Sequence, residues 1–432
     1  MITFLLSIIL LIIGYFFYGN FVQKYFGADP AIITPAVIIN DGIDYTPMPA
    51  WKIFIIQFLN IAGLGPIFGA ILGAAYGPMA YVWIVLGCIF MGAAHDYFSG
   101  MLSIRNNGAS LPELVGKFLG KGTRNFMRFF TLILLIFVGV SFVSGPAKLL
   151  AGMTDSGLNI WLYIIFGYYF LATLFPINKI IGKIYPFFGA ILIFMALMIG
   201  MALIVNHMSG NIHMHELNFS DFKNFHRNPE YNMLYPMMFI VISCGAISGF
   251  HATQSPLMAR CLKNEKYAKF GFYGAMIAEG IVAIIWATAA MNYFGDVYGL
   301  NYTLSNPVQD PAWIVNEICN SWLGRTGAVI AIMGVVICPI TSGDTAFRSA
   351  RLTIADSLKI DQKSIKKRIL TAIPIFLLGF ILTFLLSSQF ATVWKFVGIS
   401  NQILAAITLW TIAMYFALNK KITLSFLYRL FF

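Results

Sequence analysis

Charge is what this sequence has least of. Of 432 residues only 10% are Asp, Glu, Lys or Arg, where a soluble globular domain carries about a quarter. With 59% hydrophobic residues and a mean hydropathy of +0.80, the chain has too little polar surface for a water-soluble fold of this length, and no soluble domain is expected. Cysteine is scarce as well. Cys88, Cys244, Cys261, Cys319 and Cys338 are scattered without a CxxC spacing, which argues against a disulfide framework or a metal site and for reduced packing residues. Alternating ten-residue strands are missing, which excludes a membrane barrel. Nucleophile elbows, metalloprotease helices and phosphate loops are missing too, so no enzyme and no cofactor are expected. The net charge of +11 sits between apolar runs and not on a soluble face, which argues against a nucleic-acid partner.

Long apolar runs are abundant. A hydrocarbon core about 30 Å thick needs about 20 apolar residues per helix, and such runs recur from end to end. Hydropathy predicts an all-α polytopic protein of about eleven spans, beginning near Thr3, Trp51, Pro78, Phe129, Asn159, Ile184, Leu234, Phe270, Gly327, Arg368 and Ala391. The first run, "ITFLLSIILLIIGYFFYG", lacks a basic leader and a cleavage site and reads as a retained span. Loops then alternate. "RNNGASLPELVGKFLGKGTRNFMR", "NKIIGK", "ARCLKNEKYAK" and "FRSARLTIADSLKIDQKSIKKR" are basic, whereas those around Asp155, His213 and Asp310 are not. The basic loops are expected in the cytoplasm, with the C-terminus inside, the N-terminus outside, and the bilayer of the plasma membrane as the surrounding partner.

Two spans are interrupted. "IAGLGPIFGAILGA", from Ile61 to Ala74, holds four glycines and a proline, and "FIVISCGAISGFHATQSPLMAR", from Phe239 to Arg260, holds Gly245, Gly249 and Pro256. Breaking a membrane helix frees N–H and C=O groups that hydrocarbon cannot satisfy, so such breaks line a cavity or bind something. The two lie five spans apart in opposite directions, the pattern of an inverted five-plus-five repeat, LeuT-like, with two discontinuous helices. Residues 1–50 then form an accessory helix and loop, 51–419 the core of two repeats, and 420–432 a short tail. Close packing by small residues, since Gly65 and Gly69 spell GxxxG, is the alternative reading of the first break.

The stretches "DPAIITPAVIINDGIDYTP", "QFLNIAGLGPIFGAILGAAYG", "WIVLGCIFMGAAHDYFSGMLSIRNNGASLPELVGK", "SGFHATQSPLMARCLKNE", "ITSGDTAFRSARLTIADSL" and "FVGISNQILAAITLW" together resemble the carbon starvation protein A (CstA) family over roughly Asp29 to Leu418. The resemblance implies a multi-pass carrier of short peptides or, in some members, pyruvate. Gln57 and Phe58 stand where many relatives carry two histidines, so no proton role is carried over to them, and the resemblance implies a short member of the family. A channel or a starvation-signalling protein are the rival classes.

Candidate residues follow from polar groups placed in apolar surroundings. For substrate we expect Gln57 and Asn60, three apart on one face ahead of the first break, with Gly63 and Gly65 in it, and Ser248, Gly249, His251 and Gln254 around the second. Interhelical amide bonding is the structural alternative. For coupling to H+ or Na+ we expect Glu279, whose carboxylate near mid-span costs at least about 2.5 kcal/mol and is functional by default. With it go Thr341, Ser342, Asp344 and Thr345; Thr341, Asp344 and Thr345 share one helical face with Arg348. An Asp344–Arg348 pair that tidies the helix end is the alternative there. His95, Asp96 and Arg348 are gate candidates, the first two beside Arg105. Asn401 and Gln402 should bridge helices. Four histidines between His207 and His226 with Glu216 form no closed ligand set, and no metal is expected.

Overall fold

The computed structural model describes residues 1–154, 156–177, 181–386 and 389–419. Asp155, residues 178–180 of the second basic loop, and the tail with Arg429 lie outside the described residues. Helices dominate: α1 (Ile2–Phe26), α2 (Ala50–Ile61), α3 (Gly65–Ala74), α4 (Met79–Ile104), α5 (Leu111–Leu119), α6 (Lys121–Met153), α7 (Leu158–Leu174), α8 (Ile181–Met208), α9 (Gly249–Ala259), α10 (Glu265–Tyr293), α11 (Pro311–Leu358), α12 (Ile365–Leu386) and α13 (Phe390–Leu418). Eight helices are long and apolar enough to cross a membrane, or nine if α2 and α3, bent by 57° at their junction, count as one span. The expected eleven is not reached by that measure. Helix α7 has 17 residues, and the second break leaves α9 with 11.

Both interruptions read from glycine and proline are present, and backbone accounting explains how they persist. Pro66 has no N–H to give the carbonyl of Ala62, and Gly63 N–H turns to the carbonyl of Ile61 at 2.9 Å instead of that of Leu59. The two stranded carbonyls are taken up by α11: Ser342 Oγ donates to Leu59 O at 2.7 Å, Thr341 Oγ1 approaches it at 3.4 Å, and Cys338 Sγ donates to Ala62 O. In the second break, Ile242 through Ser248 leave the helix. There Trp83 Nε1 donates to Ile242 O at 3.3 Å, and Gln402 Nε2 donates to Phe239 O and Ile247 O at 3.0 and 3.4 Å. Gln402 thus bridges helices as expected.

The breaks also pack on one another. A Cβ on Gly65 would run into Cys244, one on Gly73 into the Ile242 side chain, and one on Gly249 into the α13 backbone at Asn401 and Ala405. Around them α11 runs along α6 and α8, α9 lies against α4 and α13, and α10 against α2 and α3. The described chain ends lie at opposite ends of the bundle. Ile2 and Thr3 hydrogen-bond Glu216, while Tyr415 and Phe416 pack on Phe26 among the basic loops. The latter is called the basic end below.

Candidate functional site

A buried polar chain crosses the space between α4, α9 and α10. Gly92 lets α4 approach the second break so closely that a Cβ there would meet Ala246 O. The next turn of α4 then presents His95 and Asp96. Both are fully buried, as are His251 on α9 and Glu279 on α10. Asp96 accepts from two imidazoles at once: His95 Nδ1–H at 2.9 Å and His251 Nδ1–H at 3.0 Å. An ionised carboxylate only accepts, which assigns the Nδ1–H tautomer to His251 and leaves Nε2 as the basic nitrogen. That nitrogen faces Glu279 Oε2 at 3.5 Å. Among the described residues, neither Glu279 oxygen has a hydrogen-bond partner, nor does His251 Nε2. Cys244 Sγ closes a triangle in which one ligand-type atom each from Cys244, His251 and Glu279 lie within 4.8 Å of one another. Three ligand-type atoms in a fully buried pocket can share one bound cation, the smallest being a proton.

His95 and Asp96 thus lie inside the bundle. Arg105, expected beside them, pairs instead with Glu265. The reason is register: Arg105 lies two to three turns further along α4, at the basic end, where Glu265 opens α10.

Gln57 and Asn60 are fully buried ahead of the first break. Gln57 Nε2 reaches Ser255 Oγ at 3.5 Å, which ties α2 to α9, but Gln57 Oε1 and both amide atoms of Asn60 have no partner. Gln254 Nε2 donates to Thr253 Oγ1 at 2.9 Å, with Ser349 Oγ at 3.4 Å, leaving Oε1 unpartnered. Buried amides without partners are costly, and these atoms retain hydrogen-bonding capacity for a further polar group. Gly63 packs on Phe142, whose ring meets that of Phe250 edge-on, and Ser248 heads α9. The first-break carbonyl of Leu59 faces the hydroxyls of Thr341 and Ser342, whereas Thr345 Oγ1 turns back to its own helix at Thr341 O and Ser342 O. Asp344 accepts from Tyr185 Oη at 2.7 Å. Arg348 does not pair with it. Its Nη2 donates to Ala172 O and Phe175 O at 2.6 and 3.0 Å, capping α7, and its Nη1 lies 3.7 Å from Asp44.

Asp44, Cys244, Tyr185, Arg260, Arg351 and Arg368 are the residues that the sequence reading missed. Asp44 carried one available signal, an acid in a loop that otherwise adjoins basic segments. Burial pushes its carboxyl up, but Arg351, Arg348, Arg260 and Arg368 together hold it below the usual carboxylate range.

Comparisons agree with this architecture. The sequence profile of carbon starvation protein CstA matches residues 1–153 and 146–324. An uncharacterized membrane protein of Haemophilus influenzae is 44% identical over 71% of this chain and 94% of its own length. The pyruvate/proton symporter BtsT of Escherichia coli is 26% identical over 77% of this chain and 56% of its own length, and the peptide transporter CstA of Campylobacter jejuni 28% over 65% and 48%. The chain thus spans about half the length of the latter two. Among solved structures, MhsT in complex with L-phenylalanine has a TM-score of 0.57 at 14% identity over 84% of this chain and 88% of that one. A Na+-coupled sialic acid symporter has 0.52 at 12% over 95% and 86%. These likenesses are to LeuT-like transporter folds.

Proposed function

The chain belongs to the carbon starvation protein CstA family, and on that premise we propose that it is a secondary active transporter of the plasma membrane that takes up short peptides during carbon starvation. Pyruvate symport is the second reading, favoured by the likeness to a relative named for it. The observation that carries transport is the pair of facing breaks bordered by fully buried amides with unpartnered atoms, at Gln57, Asn60 and Gln254. Such atoms fit the carboxylate and peptide groups of a small solute, and their burial from both ends fits a closed stage of alternating access between two inverted repeats of five helices.

In this reading the basic end faces the cytoplasm, Gly63, Gly65, Ser248 and Gly249 shape the cradle, and His251 joins solute binding to coupling. Glu279 carries the coupling proton, handed through His251 Nε2 while Asp96 and His95 hold the ring. A sodium ion is the alternative coupling ion. Leu59 O, Thr341, Ser342 and Asp344 would supply its oxygen ligands, as suits a hard cation, by turning hydroxyls now spent on backbone carbonyls. The test is uptake of labelled dipeptide and labelled pyruvate into proteoliposomes under imposed proton or sodium gradients. Saturable, gradient-driven accumulation of either solute is expected. Accumulation of neither by folded protein refutes transport of these solutes.

A further inference from the structure

At the basic end, four guanidinium groups converge where the segment 39–49 folds inward: Arg260 after α9, Arg348 and Arg351 on α11, and Arg368 on α12. All are buried, and their counter-charges are too few. Arg260 is matched, donating to Asp356 at 3.0 Å and to Gly108 O at 2.8 Å. Arg351 and Arg348 look to Asp44, whose Oδ1 lies 3.4 Å from Arg351 Nη2 and 3.7 Å from Arg348 Nη1, longer than the about 2.7–2.9 Å of a well-made charge-assisted bond. Arg351 Nη1 also donates to Gln362, and Arg368 acts on Asp44 through its charge without a direct bond. Asp344 is the next acid along α11, but it is turned to Tyr185 and, among the described residues, makes no ion pair with an arginine within 4.0 Å. Among the described residues, five guanidinium nitrogens are consequently buried without a hydrogen-bond partner: Nε and Nη1 of Arg348, Nε of Arg351, Nε and Nη1 of Arg368. Uncompensated buried charge is strongly unfavourable, and planar guanidiniums match a carboxylate in geometry as well as in sign.

The carboxylate now present sits on a turn outside the helices. Asp41 Oδ1 accepts from the N–H groups of Ile43, Asp44 and Tyr45, making the turn a unit of its own. Its ties outward are separate local contacts and no helix or sheet: Ile177 N–H to Ile43 O at 2.9 Å, Tyr45 Oη to Asn107 O at 3.0 Å, Met48 N–H to Cys261 O at 2.9 Å, Cys261 Sγ to Asp44 O at 3.7 Å, and the Arg260 guanidinium over the Tyr45 ring.

We propose that Arg348, Arg351 and Arg368 form a cytoplasmic carboxylate subsite, filled by Asp44 in the closed molecule and taken over by the carboxylate of the departing solute as the 39–49 turn withdraws. Asp44 is thus an internal competitor for the solute, and the exit opens when the exchange occurs. The subsite rests on the reading of the protein as a carrier of carboxylate-bearing solutes, although carboxylate binding itself can be measured without transport.

The probes are acetate and chloride at matched ionic strength, read as the thermal midpoint of the purified protein, and KM for solute at each face in oriented vesicles. Asp44→Asn should gain a saturable stabilisation by acetate that chloride does not give, and its cytoplasmic KM should fall about tenfold with the external KM unmoved. Adding Arg351→Gln should remove both effects. Arg368→Gln, which leaves Asp44 in place, should raise the cytoplasmic KM at least about threefold and guards against a poorly folding Asp44→Asn. Unchanged cytoplasmic KM in both Asp44→Asn and Arg368→Gln, or equal stabilisation by acetate and chloride, overturns the subsite. Acetate-specific stabilisation of Asp44→Asn in protein that transports neither solute would keep the subsite and overturn the transport reading alone.

Discussion

Glu279→Gln tests the coupling site most directly. The substitution keeps the size of the side chain, still fits between α4, α9 and α10, and removes the only atom of that residue able to release a proton. Facing Glu279 is His251 Nε2 at 3.5 Å, with Asp96 beyond the imidazole, and the Glu279 charge acts on the thiols of Cys88 on α4, Cys244 in the second break and Cys338 on α11. Moving the proton from Glu279 to His251 creates an ion pair at that separation, worth about 5 kcal/mol at an effective dielectric of about 20. Attraction of that size offsets part of the cost of placing two charges in a buried site, and the proposed relay passes the proton between these two partners. In the glutamine variant it has nowhere to go. With one proton per solute, an imposed gradient of one pH unit supports at most about tenfold accumulation. The wild type should approach that ratio in proteoliposomes, and Glu279→Gln should stay near unity while still exchanging labelled for unlabelled solute at comparable rates. Tenfold proton-driven accumulation in the variant would refute the relay and shift attention to the sodium ligands at Leu59, Thr341 and Ser342.

Further outcomes can be checked separately. Ser342→Ala strands the Leu59 carbonyl and should lower stability by about 1 kcal/mol, read as a lower thermal midpoint, with a loss of sodium dependence in addition only if sodium is the coupling ion. Gly73→Ala drives a methyl into Ile242 and should cost about 1–3 kcal/mol. Ile242→Ala in the same chain should recover part of that loss, and strict additivity in a double-mutant cycle would show that the breaks do not touch. Partial burial raises the Glu216 carboxyl, but the amino group of Met1, the Thr3 hydroxyl and the N–H groups of Thr3 and Ile2 bring it down to about 2. A lowered carboxyl stabilises above its unfolded value and loses that contribution as pH falls through the folded one. The thermal midpoint of Glu216→Gln should therefore lie below that of the wild type at pH 6, with the difference closing as pH drops from about 4.5 toward 2. A constant difference over that interval would exclude the carboxylate as its source.

Composition and pattern alone determined a good deal. A tenth of the residues being charged forces the chain into lipid, lipid forces the backbone into helices, and glycine with proline inside two apolar runs forces those helices to break. The consequence at Ala62 is arithmetic: a proline has no N–H to give, so the carbonyl one turn earlier needs another donor, whereas the hydroxyls of Thr341 and Ser342 were legible only as coupling-ion ligands and not as the donors that meet the Leu59 carbonyl. The buried cost of a mid-span carboxylate likewise singled out Glu279 from one residue and its surroundings. Partners are another matter, because side-chain pairing depends on distances between segments far apart in the chain. Asp96 and His251 are 155 positions apart and meet only because Gly92 lets α4 close on the second break. Arg348 lies one turn from Asp344, which in an isolated helix favours a pair, yet the C-terminal carbonyls of α7 and the inward turn at Asp44 offer it more, and packing decides. Span number shows the same division: hydropathy detects apolar runs, but whether a run is one helix or two half-helices meeting at a break is settled by what stands opposite to receive the freed backbone groups.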